Sequence, residues 1–128
     1  MAFEVYTQKP TKFGFVAAHI FCTVTKNNVR FSQKAHRTIG CPEYVRVLFD
    51  DAEKKMAIVP SERKDIKALK LYGPGNQNAI QRAGLVQKIC EVAGINTRKK
   101  HSFKGEYDQN YSRIIFDLSE EFYDTKVQ

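Results

Sequence analysis

The sequence predicts an α+β protein dominated by β structure: a small barrel built from two β-β-α-β-β repeats related by a pseudo-two-fold axis. Three observations carry this expectation. Short runs rich in β-branched and aromatic residues recur along the 128 residues, as in Phe15–Thr25, Tyr44–Phe49 and Tyr111–Leu118. Only two segments have helical spacing of apolar residues, and each stops at a glycine, Gly40 or Gly94. The order strand, turn, strand, short helix, hairpin occurs twice, with a period of roughly 50 residues.

The elements follow in order. Residues 1–14 read as an extended arm. Residues 15–25 form a strand, Lys26-Asn27-Asn28 a tight turn, and Val29-Arg30-Phe31 a short return strand. Asn tolerates positive φ better than other non-glycine residues, which suits that turn. Ser32 is an N-cap for a helix over 33–39, in which Ala35 and Ile39 share a face and Lys34 and Arg37 lie on the other side. Tyr44–Phe49 and Met56–Val59 make a hairpin around the polar turn 50–55, and Pro60 ends it.

The charged stretch 61–68 reads as a linker. Lys70-Leu71-Tyr72 and Asn78–Ile80 read as strands around the turn Gly73-Pro74-Gly75-Asn76. Residues 84–93 form a helix with Leu85, Ile89 and Val92 on one face. Residues 95–103 read as a strand, 104–110 as a loop and 111–118 as the last strand. The whole chain, 1–128, is one domain, with repeat 1 at about 15–60, repeat 2 at about 69–118 and an acidic tail at 119–128. Neither half buries an apolar face alone, so the halves pair within a monomer or across a homodimer.

Composition narrows the function classes. At 42% apolar and 27% charged residues, the chain has the make-up of a folded domain. No apolar run approaches the roughly 18 residues of a spanning helix, so no membrane role is expected. The N-terminus shows no basic segment followed by an apolar core, so no secretory signal is expected. Three cysteines, Cys22, Cys41 and Cys90, are an odd number without a C-x-x-C pair. That points to reduced thiols, a cytoplasmic location and no thiolate metal site.

Charge is uneven. The formal net charge is +7, yet residues 105–128 hold two cations against six carboxylates, and residues 82–104 hold six cations against one carboxylate. A basic body suits a polyanionic partner. The expected nucleic-acid-binding set is Lys26, Arg30, Lys34 and Arg37 around the first turn and helix, with Arg82, Lys88, Arg98, Lys99 and Lys100 in the second half. If the halves are related by a two-fold axis, these form one continuous surface that displaces counterions from a phosphate backbone. His36 and His101 lie beside cations and join it, whereas His19 reads as structural.

Catalytic patterns are not found. No H-E-x-x-H or paired-histidine spacing supports a metal hydrolase, and Gly73-Pro74-Gly75 lacks the Gly-Lys-Ser/Thr ending of a phosphate loop. Asp50, Asp51 and Glu53 lack calcium-loop spacing. No enzyme activity, cofactor or metal is therefore expected.

The stretch Val24–Gly40, followed by Tyr44–Phe49, Asp50-Asp51 and Met56–Val59, resembles the AbrB-type swapped-hairpin DNA-binding domain. The match runs from Ala18 to Val59 and centres on Arg37-Thr38-Ile39-Gly40, which is similar to the Arg-Thr-Leu-Gly ending of the family's short helix. The chain departs from the family at the turn, where Asn27-Asn28 stands for Gly-Arg, and at Ser32, where the family often has proline. The resemblance implies an intertwined barrel and transcription regulation by double-stranded DNA binding through basic residues near the turn and helix. The alternatives are a protein-interaction or inhibitor module acting on a nucleic-acid enzyme, and a binder of anionic nucleotides.

Overall fold

Eight antiparallel strands wrap into a nearly closed barrel, and two short helices sit at its ends. The computed structural model describes residues 19–72 and 78–121. The strands are β1 (Phe21–Val24), β2 (Val29–Phe31), β3 (Tyr44–Asp50), β4 (Lys55–Ser61), β5 (Leu69–Lys70), β6 (Ala79–Ile80), β7 (His101–Asp108) and β8 (Arg113–Glu121). The helices are α1 (Gln33–Thr38) and α2 (Ala83–Ala93). The order around the sheet is β5-β3-β4-β8-β7-β1-β2-β6. Beyond β5, Tyr72 bridges to Ala79 of β6 and draws the two outer strands together. Exchanging the names β1–β4 with β5–β8 leaves every one of these neighbour relations unchanged.

Period-2 patterning builds the wall. Cys22 and Val24 of β1, and Val29 and Phe31 of β2, point inward while Arg30 points out. The core gathers Phe31, Phe103, Phe116, Met56, Ile58 and Ile114 from four strands, all at most 2% exposed. Phe31 and Phe116 meet with ring centroids 5.6 Å apart. Burial also pushes the Cys22 thiol upward, keeping it protonated and inert.

Each helix closes one mouth of the barrel. Ser32 caps α1: its Oγ accepts the Ala35 amide at 3.2 Å and the Phe21 amide at 3.1 Å, and donates to the His19 carbonyl at 2.8 Å. One side chain therefore fixes both the helix start and the entry into β1. The α1 exit uses two left-handed residues, Gly40 (φ 86) and Cys41 (φ 53). Gly94 (φ 73) ends α2, its amide bonding the Cys90 carbonyl at 2.8 Å.

Several boundaries differ from the sequence reading. Residues 95–100 are a loop, and β7 begins at His101. The stretch 104–110 is mostly strand, because Glu106, Tyr107 and Asp108 pair with β8. The start of β8 shifts to Arg113, and Glu120 and Glu121 of the expected acidic tail belong to it. Pro60 lies inside β4, past the β4–β8 ladder that stops at Ile58 and Ile114, so its missing N–H breaks no pair there. The expected arm 1–14, residues 15–18 of the first strand, the turn 73–76 and tail residues 122–128 lie outside the described residues. No helix among the described residues is long and apolar enough to cross a membrane.

Candidate nucleic-acid interface

Strand direction sorts the nine candidate cations between the two barrel ends. β1 and β7 run antiparallel and their ladder finishes at Val24 opposite His101. Beyond that pair the chains continue to the Lys26 turn on one side and to Lys100 and Lys99 on the other. β2 leaves the Lys26 turn and reaches α1 at the far end. β6 runs against β2, with Ile80 opposite Val29, so α2 starts at the near end, beside Lys26. The α2 end thus receives Lys26, Arg82, Lys88, Arg98, Lys99 and Lys100. Lys34 and Arg37 lie at the α1 end, and Arg30 lies on the wall between. One continuous surface of all nine is not what the fold builds, because α1 and α2 leave the barrel from opposite mouths.

The α2 end is held by polar contacts. In the β1–β2 turn the Thr25 amide bonds the Asn28 carbonyl at 2.9 Å, and the Thr25 hydroxyl meets the Asn28 side chain at 3.1 Å. The Arg98 amide donates to Asn96 Oδ1 at 3.0 Å. His101 is buried, its Nε2 bonding the Asn96 carbonyl at 2.8 Å and its Nδ1 the Glu121 carboxylate. His101 is therefore a clamp beneath the Arg98–Lys100 loop and not part of a basic surface. His36 is likewise occupied, with Nε2 bonding the Pro42 carbonyl at 2.9 Å.

Two candidates are already engaged. Lys88 Nζ sits 3.0 Å from Asp51 and 5.6 Å from the Phe49 ring centroid. The Nη1 of Arg30 donates to Oδ1 of buried Asn78 at 3.1 Å. Among the described residues, none of Lys26, Lys34, Arg37, Arg82, Arg98, Lys99 or Lys100 has a carboxylate within ion-pair distance. All seven are exposed. Cations left without protein partners keep their full attraction for a phosphate backbone.

Carboxylates occupy a different face. A groove of about 630 Å³ along the outside of β7 and β8 is lined by Glu106, Asp108, Asp117, Glu120 and Glu121, with Lys55 and Lys104 at its sides. The hydroxyl and amide of Ser119 hold the Asp117 carboxyl below its ordinary range, so it stays ionised. Among the described residues no three His, Cys, Asp or Glu side chains gather to hold a metal.

Two features escaped the sequence reading. The stretch 61–68 is an ordered turn organised by Asp65, whose carboxylate accepts Ser61 Oγ at 2.7 Å, Arg46 Nη2 at 2.7 Å and the Lys67 amide at 3.0 Å. Asp-x-Lys spacing hints at the last contact, but Arg46 lies 19 residues away. Tyrosines dispersed in sequence also collect at one end of the barrel. Comparison with known proteins finds no matching family model, no matching curated protein and no matching solved structure.

Proposed function

We propose that this chain is a non-catalytic nucleic-acid-binding protein that grips double-stranded DNA at the α2 end of its barrel, as a cytoplasmic transcription regulator does. One observation carries the reading: the β1–β7 register puts Lys26 beside Lys99 and Lys100, from opposite halves of the chain, with no carboxylate partner among the described residues. Such a group neutralises adjacent phosphates and releases their counterions. The invariance of strand neighbours under exchange of the two halves supports a scaffold of two β-β-α-β-β units, as the swapped-hairpin resemblance implies. The three cysteines are free, in keeping with a reducing compartment.

Fluorescence anisotropy with a labelled duplex at about 50 mM salt tests the reading, since electrostatic binding is strong there. Saturable binding by the wild type, weakened in a Lys99→Ala, Lys100→Ala variant, supports it. A flat titration with folded, monodisperse protein removes it.

The carboxylate groove on β7 and β8 favours a second reading, an inhibitor module that presents a phosphate-like surface to a nucleic-acid enzyme. That reading expects the flat titration and loss of inhibition on replacing Asp117 and Glu120.

A further inference from the structure

All four tyrosines among the described residues lie at the α1 end. Tyr44 opens β3, Tyr72 follows β5 at the bridge to β6, Tyr107 is the penultimate residue of β7, and Tyr111 sits at the β7–β8 tip. Strand directions bring these four positions to the same mouth of the barrel. Tyr72 is 43% exposed and Tyr111 69%, whereas Tyr107 lines the carboxylate groove on β7 and β8. The α2 end has no tyrosine among the described residues.

Cations accompany the rings. Lys70 Nζ lies 5.3 Å from the Tyr72 ring centroid, and the Arg113 guanidinium carbon lies 4.6 Å from that of Tyr111. A cation over one face orients a ring while the rest stays open to solvent. Lys34 and Arg37 rise from α1 at the same mouth, exposed and without a carboxylate partner among the described residues.

We propose that the α1 end is a second site, a stacking platform for the unpaired bases of single-stranded nucleic acid. The inference rests on the nucleic-acid reading of the chain but uses the opposite end of the barrel. Each unpaired nucleotide offers a π face and a phosphate, and this end offers tyrosine rings together with Lys34 and Arg37, while Lys70 and Arg113 orient the rings and are already paired with Glu43 and Asp108. A double helix hides its π faces within the stack and gains nothing from the rings. The two ends therefore divide the work: cations alone at the α2 end, rings with cations at the α1 end.

The test uses the full chain and a fluorescein-labelled oligothymidylate of about twelve nucleotides, within the usual span of such sites. The chain has no tryptophan, so its intrinsic emission comes from tyrosine and reports stacking by quenching. Tyr72→Leu and Tyr111→Leu are each expected to weaken single-strand binding roughly tenfold, the scale of one lost stacked base. Tyr72→Phe and Tyr111→Phe keep the π face and should bind like the wild type. Duplex affinity should be unchanged in all four variants. Single-strand binding that survives both leucine changes, or that disappears in the Lys99→Ala, Lys100→Ala variant instead, overturns the proposal. Failure of duplex binding with single-strand quenching intact would overturn the duplex reading alone.

Discussion

A methyl group on Gly105 would lie 2.7 Å from Cε1 of Phe116 and 2.9 Å from Cγ2 of Ile114. Gly105 pairs with Phe116 across β7 and β8, at the irregularity that separates Phe103 from Gly105. The ring fills the place a side chain would take and also packs against the Phe31 ring, with centroids 5.6 Å apart. Gly105→Ala is expected to cost about 1–3 kcal/mol through overpacking. The midpoint of a urea transition measures it, and an unchanged midpoint would mean that the Phe116 ring moves aside freely.

Asp65 makes stability depend on acid. The Lys67 amide, the Ser61 hydroxyl and the Arg46 guanidinium hold its carboxyl down at about 2, from an ordinary 3.8. A carboxyl lowered by folding contributes stability that is complete above the unfolded value and is lost as pH falls towards the folded one. The stability gap between wild type and Asp65→Asn should be constant from pH 5 to pH 7 and narrow between about pH 4 and pH 2. Thermal melts across that range show it, and a gap independent of pH would contradict the assignment to this carboxylate.

Lys54 and Ser112 occupy matching places at the ends of the two hairpin tips, with φ of 54 and 50. The left-handed region is costly for residues with a Cβ and free for glycine. Lys54→Gly and Ser112→Gly should therefore each raise stability, by a few tenths to about 1 kcal/mol after the extra chain entropy of glycine. Lys54 offers its carbonyl to the Leu118 amide at 2.8 Å, a contact that glycine keeps. Equilibrium unfolding of the two variants decides the sign.

Salt dependence reports the number of phosphate contacts at the α2 end. Removing Lys26, Lys99 and Lys100 together should lower the magnitude of the slope of log K against log salt by about three for a duplex. Lys34→Ala with Arg37→Ala should leave that duplex slope unchanged, because α1 faces the other way. Equal effects of the two sets would place duplex contacts at both ends.

The sequence alone determined most of the local structure. β-branched and aromatic runs marked the strands, Ser32 marked the start of α1, and Gly40 and Gly94 marked the helix ends, because those signals act over three or four residues. The mostly-β class followed from the same signals, and so did the exposed cations of 26–37 and 98–100. Local polarity misled at 104–110: Lys104, Glu106 and Asp108 are the outward half of a strand whose inward positions include Gly105, and glycine carries no apolar signal. Only the tertiary structure decided which charges meet. Lys88 met Asp51, His101 was buried under the loop it was expected to decorate, and antiparallel pairing brought Lys26 to the same barrel end as Lys99 and Lys100 across more than half the chain. It also carried four scattered tyrosines to one mouth, because strand direction around a closed sheet fixes the end at which each residue emerges, and that direction is set by partners remote in sequence.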